Sequence, residues 1–273
     1  VTPAGAAAGA GPGSAVVPSP ARPRAAVAGV PPGPGELHVW AWPVSAYPVW
    51  GELLTEEETA RADALPDGPA RATYVSSRGL QRALGSHYLR LPARGLRIDR
   101  TCAHCGAEHG RPRFTAGAGR LDYSVAHSRD WVLAAVVSGG LVGVDVDVVP
   151  DAETSGRLAR KALTDGERQA LAGLPEEERA AGLVRLWTRK EAGSKLAGRG
   201  LAARFDHLDA AGPTLRRAGE LPDGWPSGDL HLLDLPPVGP LRTGHLGSVA
   251  STRPIRRVLL PAGWDQPSAA VSA

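Results

Sequence analysis

The sequence predicts an α+β fold, and three observations predict it. Strand-like and helix-like runs come in clusters, without the regular βαβ alternation of a parallel sheet. The order of helix followed by strands recurs loosely in the second half of the chain. At 273 residues and 42% hydrophobic content, the chain is also long enough to bury a sizeable core as one large domain or two small ones.

Taken in order, residues 1–35 are rich in Ala, Gly and Pro and lack the continuous apolar stretch of a secretory signal, which predicts a disordered leader. The chain contains no methionine, so Val1 reads as a literally translated alternative start codon. "ELHVWAW" (36–42) alternates and is rich in β-formers, a strand ended by proline. Thr55 with Glu58 makes a capping box that starts a short helix, and "ARATYVSSRGLQRALGSHYLRL" predicts a second helix over about 70–91. From 121 to 149 three apolar runs, broken at "HSRD" and "SGG", read as strands of a meander. Thr164 and Glu167 form another capping box, and a long helix follows over about 176–198, ending in "GRG". Strands are predicted at 230–235, 245–251 and 256–260, and residues 264–273 form a flexible tail.

Composition excludes some classes of function. The net charge is +3 and arginine supplies most of the basic residues, with lysine only at Lys161, Lys190 and Lys195. No basic stripe interleaved with aromatics appears, so no nucleic-acid partner is expected. No segment is apolar and long enough to span a membrane, and the two cysteines, Cys102 and Cys105, fit a reducing cytoplasm or simple cysteine avoidance.

The chemistry concentrates in two motifs. In "LVGVDVDVVPD" (141–151) the strand period of two puts Asp145 and Asp147 on one face, roughly 6 to 7 Å apart, and their repulsion calls for something positive nearby. In "LWTRKEAGSKLAGRGL" (186–201) helical spacing places Trp187, Glu191 and Lys195 on one stripe, with Lys190 one step round. An isolated Glu–Lys pair at this spacing is commonly a solvated surface pair, but an indole on the same stripe seeks cover and sets the charges at a pocket edge.

"VGVDVD", a gap of some forty residues and "WTRKEAGSK" together resemble the paired signature of the 4′-phosphopantetheinyl transferases. "YSVAHS" (123–128) is similar to that family's upstream strand, and "HGRP" (109–112) to its Gly-Lys-Pro segment, with arginine in place of lysine. The resemblance extends over roughly 36–260, and the length is that of the large Sfp type. It implies pseudo-twofold duplicated subdomains, each an antiparallel sheet packed with helices, at 36–140 and 141–263 of a monomer. It also implies transfer of the phosphopantetheine arm of coenzyme A to a serine of an apo acyl or peptidyl carrier protein, releasing adenosine 3′,5′-bisphosphate. Such an enzyme activates polyketide, nonribosomal-peptide or fatty-acid synthases, and the large form points toward secondary metabolism.

The site residues follow from the same resemblance. Asp145, Asp147 and Glu191 supply carboxylates to Mg²⁺, with Mn²⁺ as a substitute, and this donor set suits an ion that also takes waters and substrate oxygens. Asp147 departs from the glutamate of many relatives. Lys195 stabilises charge on the transferred phosphoryl group or leaving oxygen. Arg61, Gly110, Arg111, Pro112, His127 and Lys190 are the candidate coenzyme A contacts. Glu167 resembles a glutamate proposed as general base, although its position three after Thr164 explains it equally well as a helix cap; a metal-bound water or Glu191 are the other acceptors.

"CAHCGAEHG" (102–110) holds a Cys-x-x-Cys pair with His104 and His109 nearby, half of a zinc site by sequence, and reads equally as a loop beside the nucleotide pocket. Two rival functions are a catalytically silent carrier-protein-binding relative, which predicts a broken acid triad, and a metal-dependent phosphohydrolase, which calls for more metal ligands or a Gly-rich phosphate loop.

Overall fold

The computed structural model describes residues 29–44, 48–236, 241 and 244–260. Most of the expected leader and the whole expected tail lie outside these residues. Strand β1 (Glu36–Pro43) is followed by helices α1 (Pro48–Leu53), α2 (Glu56–Asp63) and α3 (Pro69–Leu89). A small ladder of β2 (Ile98–Asp99) and β3 (Arg113–Phe114) precedes the hairpin of β4 (Leu121–Ser128) and β5 (Trp131–Ser138). The second half runs β6 (Val142–Val148), α4 (Ala152–Ala162), α5 (Asp165–Ala172) and α6 (Glu176–Ala197). It continues with β7 (Leu208–Asp209), β8 (Thr214–Arg217), β9 (Leu230–Asp234) and β10 (His245–Ser251), and β11 (Arg257–Leu259) ends the described chain.

Besides the two-stranded β2-β3 ladder, the described residues form two larger sheets, in the orders β11-β1-β5-β4 and β6-β10-β9-β8-β7. The α+β prediction holds, with two local differences. The three runs over 121–149 do not form one meander: β4 and β5 pair, whereas β6 leaves to pair with β10 of the other sheet. And β11 returns to the first sheet, where it runs parallel to β1, so that sheet is antiparallel except at this edge.

Alternation along the strands explains the layering. In β1, Leu37, Val39 and Ala41 join the apolar cluster between the sheets, while Trp40 and Trp42 face α3. In β6, Val142, Val144 and Val146 point into the same central cluster, and full burial of such a side chain contributes about 1.5 to 3 kcal/mol. The opposite face of the second sheet is covered by α6, through Ala192 and Leu196 against Leu230 and Ala250. The layers are therefore helix, sheet, sheet, helix.

Each half repeats one device. Both capping boxes are formed, Thr55 with Glu58 at α2 and Thr164 with Glu167 at α5. In each case the capping glutamate then pairs with a basic residue on the following long helix, Glu58 with Arg82 and Glu167 with Lys190. Both halves thus carry the same cap-and-pair arrangement, alongside the loose helix-then-strands recurrence of the sequence.

The edge strands β4 and β6 lie side by side and run in the same direction. They are joined by side chains rather than by a backbone ladder: Val142 N donates to Asp122 Oδ2 at 2.7 Å and Val144 N to Ser124 Oγ at 3.1 Å.

Candidate active site at the seam of the two halves

The site starts from a glycine. A Cβ built on Gly143 would stand 1.9 Å from Ala192 O and 2.8 Å from Leu196 N, so only glycine lets α6 lie directly on β6. Gly143, Asp145 and Asp147 share the strand face turned to that helix. Glu191 and Lys195, one helical turn apart, are thereby carried over the two aspartates.

Lys195 Nζ donates to Asp145 Oδ1 at 2.6 Å. The ion pair is thus made across elements, fifty positions apart in sequence, and not with Glu191 on the same helix. Glu191 is 8% exposed, and its carboxylate takes no hydrogen bond or ion pair among the described residues. Burial first, then the negative charge of Asp145, push its carboxyl up to about 7, against the pull of Lys195. Asp145 is also raised, chiefly by burial, with Lys195 opposing and Asp147 adding to the shift. Among the described residues Lys195, paired with Asp145, is the one ammonium bonded to this set of three carboxylates, and the cluster is short of positive charge.

The end of β4 completes the surroundings. Asp147 Oδ1 accepts from Val148 N at 2.8 Å and from Ser128 Oγ at 3.3 Å. His127, beside Ser128, keeps an exposed edge, but the protein around its ring and then the Lys195 charge hold its pKa below the ordinary histidine value. Trp187 finds the cover its indole calls for, in an edge-to-face contact with Phe205 at 5.1 Å.

The donor set fits a hard divalent cation. It is all oxygen and partly buried, and two of its acids are raised, by burial first and then by the neighbouring carboxylates. Asp145, Asp147 and Glu191 do not crowd to within 4.8 Å of one another as a closed cage would; among the described residues only Cys102, Cys105 and His109 do. An open set suits an ion that keeps waters and shares substrate oxygens.

Other expected contacts are placed differently. Glu167 is 1% exposed, and its carboxylate accepts from Thr164 N at 2.8 Å, from Ala210 N at 2.8 Å and from Lys190 Nζ. Lys190 is 0% exposed and also donates to Ala162 O at 2.6 Å and Phe205 O at 3.0 Å. Burial lowers the pKa of this ammonium, opposed by Glu167. Neither side chain offers an open face to a substrate, and the capping explanation of Glu167 is the one its hydrogen bonds display. Arg111 spans the seam, donating to Asp122 Oδ1 at 2.8 Å, to Asp122 Oδ2 and to Val142 O at 2.8 Å. Gly110 and Pro112 flank it half-buried, and Arg61 lies exposed on α2.

Three residues of the seam were not singled out by sequence. Ser128 closes the quoted "YSVAHS" segment, so its signal was present beside His127. Asp122 and Ser124 reach β6 from the face of β4; Ser124 lies within the same quoted segment and Asp122 directly before it, but the backbone groups they serve belong to a strand their neighbours in sequence do not reveal.

The comparisons with known proteins agree with this geometry. The family model described as the 4′-phosphopantetheinyl transferase superfamily matches residues 141–230, which include β6 and α6. The 4′-phosphopantetheinyl transferase HetI of Nostoc sp. (strain PCC 7120) is 27% identical over 184 residues, 64% of this chain and 74% of the relative. The 4′-phosphopantetheinyl transferase AcpT of Salmonella typhimurium is 30% identical over 171 residues, 61% of this chain and 81% of the relative. A putative 4′-phosphopantetheinyl transferase of Synechocystis sp. (strain PCC 6803) is 26% identical over 173 residues. With relatives matched along most of their length and the family match lying over the acid-bearing strand and its helix, the chain belongs to the 4′-phosphopantetheinyl transferase superfamily.

Proposed function

We propose that this protein moves the 4′-phosphopantetheine arm of coenzyme A onto a serine of an apo acyl or peptidyl carrier protein and releases adenosine 3′,5′-bisphosphate. The observation that carries the proposal is the charge-deficient cluster of Asp145, Asp147 and Glu191 around Lys195, on the segment where the family match lies. Mg²⁺, or Mn²⁺ in its place, would be held by these three carboxylates and would neutralise the pyrophosphate of coenzyme A.

The chain's own residues account for the remaining steps. The serine Oγ attacks the phosphorus next to the pantetheine arm, an O–P bond forms, and the bridging P–O bond to the adenosine bisphosphate breaks. Lys195, free to exchange Asp145 for a phosphate oxygen, stabilises charge on that leaving oxygen. Glu191, whose carboxylate takes no hydrogen bond among the described residues, accepts the serine proton. Glu167 and Lys190 serve the scaffold, because their polar atoms are already satisfied by each other and by the backbone. His127 stands at the edge as a phosphate contact.

One chain supplies both pseudo-symmetric halves of the seam, which supports a monomer of the Sfp type, and its two free thiols suit the cytoplasm. The intact acid triad disfavours a silent carrier-binding relative. No described helix is long and apolar enough to cross a membrane.

The test is intact-mass spectrometry of apo acyl and peptidyl carrier proteins incubated with the protein, coenzyme A and Mg²⁺. A mass gain equal to the phosphopantetheine arm, abolished by EDTA and restored by excess Mg²⁺, is expected. Absence of any gain across both carrier types would overturn the proposal.

A further inference from the structure

The loop before Arg111 contains a cluster that the seam chemistry does not use. By sequence, Cys102 and Cys105 made half a site; the fold returns His109 to complete three corners. Cys105 Sγ and His109 Nε2 are 2.9 Å apart, and the ligand atoms of Cys102, Cys105 and His109 all lie within 4.8 Å of one another. A tetrahedral zinc, with sulfur at about 2.3 Å and nitrogen at about 2.0 Å, separates its ligand atoms by roughly 3.5 to 3.8 Å. Small side-chain movements reach that geometry.

The backbone is built around the first sulfur. The N–H groups of Cys105 and His104 donate to Cys102 Sγ and favour its thiolate. Gly106 N donates to Cys102 O at 2.9 Å and Cys102 N to Ala107 O at 2.8 Å, closing a tight turn over the Cys-x-x-Cys pair. Gly110 then brings the chain back: its N donates to Arg100 O at 2.7 Å, and a Cβ there would meet Thr101 O at 2.6 Å and the Cys102 backbone at 2.7 Å. That contact is what sets His109, the preceding residue, beside the cysteines. Both thiols are free, Cys102 buried and Cys105 exposed.

We propose that Cys102, Cys105 and His109 bind a structural zinc ion as two thiolates and a neutral imidazole, with a solvent water in the fourth position. Binding expels the two thiol protons to solvent and oxidises nothing. Thiolate and imidazole donors select zinc over magnesium, so this site is chemically separate from the oxygen cluster at the seam. Its structural role is to fix a loop with little core of its own, next to Gly110 and the seam-spanning Arg111.

Metal analysis of untagged protein, expressed with zinc in the medium and purified without chelator, tests this. Stoichiometric zinc is expected, retained in Asp145→Asn and lost in Cys102→Ser and His109→Ala. Cobalt-exchanged protein should show the sulfur-to-cobalt charge-transfer and tetrahedral ligand-field bands, weakened in His109→Ala. His109 is exposed, so this variant and the cobalt spectrum decide the matter even where Cys102→Ser fails to fold. Zinc that is absent from the parent protein, or unchanged by His109→Ala, overturns the proposal whether or not the protein transfers phosphopantetheine.

Discussion

The ammonium of Lys190 and the carboxylate of Glu167 form an ion pair closed to solvent, with side chains 0% and 1% exposed, inside the half of the molecule that carries the acid cluster. Arg82 and Glu58 occupy the corresponding place in the other half, 5% and 10% exposed. Removing one partner of such a pair leaves a buried charge without compensation, at a cost of about 3 to 5 kcal/mol. Lys190→Met should lower stability by that amount in urea denaturation, and the double change Lys190→Met with Glu167→Leu should recover part of it. Glu167→Gln should retain transfer per folded molecule; a folded variant with turnover abolished would restore Glu167 to the chemistry.

The raised carboxyl of Glu191 predicts a pH dependence with a definite sign. A folded pKa of about 7 against an ordinary value of 4.5 means that the folded state prefers the protonated form. Its stabilising contribution is complete below 4.5 and is lost as pH rises to about 7. Thermal melting of metal-free protein should therefore decline across this window. Glu191→Gln should flatten the profile, and Mg²⁺ should oppose the loss by supplying the missing positive charge. A metal-free profile unchanged by Glu191→Gln would contradict the assignment.

Gly143→Ala places a methyl group against the backbone of α6, at 1.9 Å from Ala192 O. A backbone atom cannot swing aside as a side chain can, so about 3 kcal/mol or more of destabilisation is expected from denaturant midpoints. The shift of α6 also moves Glu191 and Lys195 off the aspartates. Transfer should fall even in the folded fraction, and full activity in a stable variant would argue that the close approach is unimportant.

Within the seam, Asp145→Ala or Glu191→Ala should nearly abolish transfer while circular dichroism stays native. Lys195→Ala should reduce turnover by about 10² to 10³, the scale of a lost charge-stabilising donor, with a smaller change in KM for coenzyme A. A pure KM effect would move Lys195 from transition-state stabilisation to substrate binding.

Much of this was legible in the chain because its signals are local. Both capping boxes, the long helices and the period-two placement of Asp145 and Asp147 depend on neighbours a few residues away. What was hidden depends on distant partners. Nothing beside Val142 to Val148 says that this strand abandons β5 for β10, a hundred residues on, and β11 meets β1 only through the whole intervening fold. Lys195 stands at the right spacing for Glu191, yet the aspartate across the interface takes its proton donor. Glu167 was ambiguous for a physical reason: the same carboxylate position serves a helix cap and a substrate contact equally, and burial alone separates the two. Helix α4, begun by the Asp151 cap, was missed altogether.

The side-by-side placement of β4 and β6 has a consequence for how the chain avoids associating with itself. An open sheet edge offers unpaired N–H and C=O groups to any passing strand, and edge-to-edge templating is a common route to aggregation. Here each sheet shields the other's edge: Asp122 and Ser124 occupy the N–H groups of Val142 and Val144, and Arg111 occupies the Val142 carbonyl. A chain severed between β5 and β6 would bare both edges at once, with valine-rich strands behind them. The two fragments should then polymerise unless they are supplied together, so the intact connection guards solubility as much as it assembles the acids.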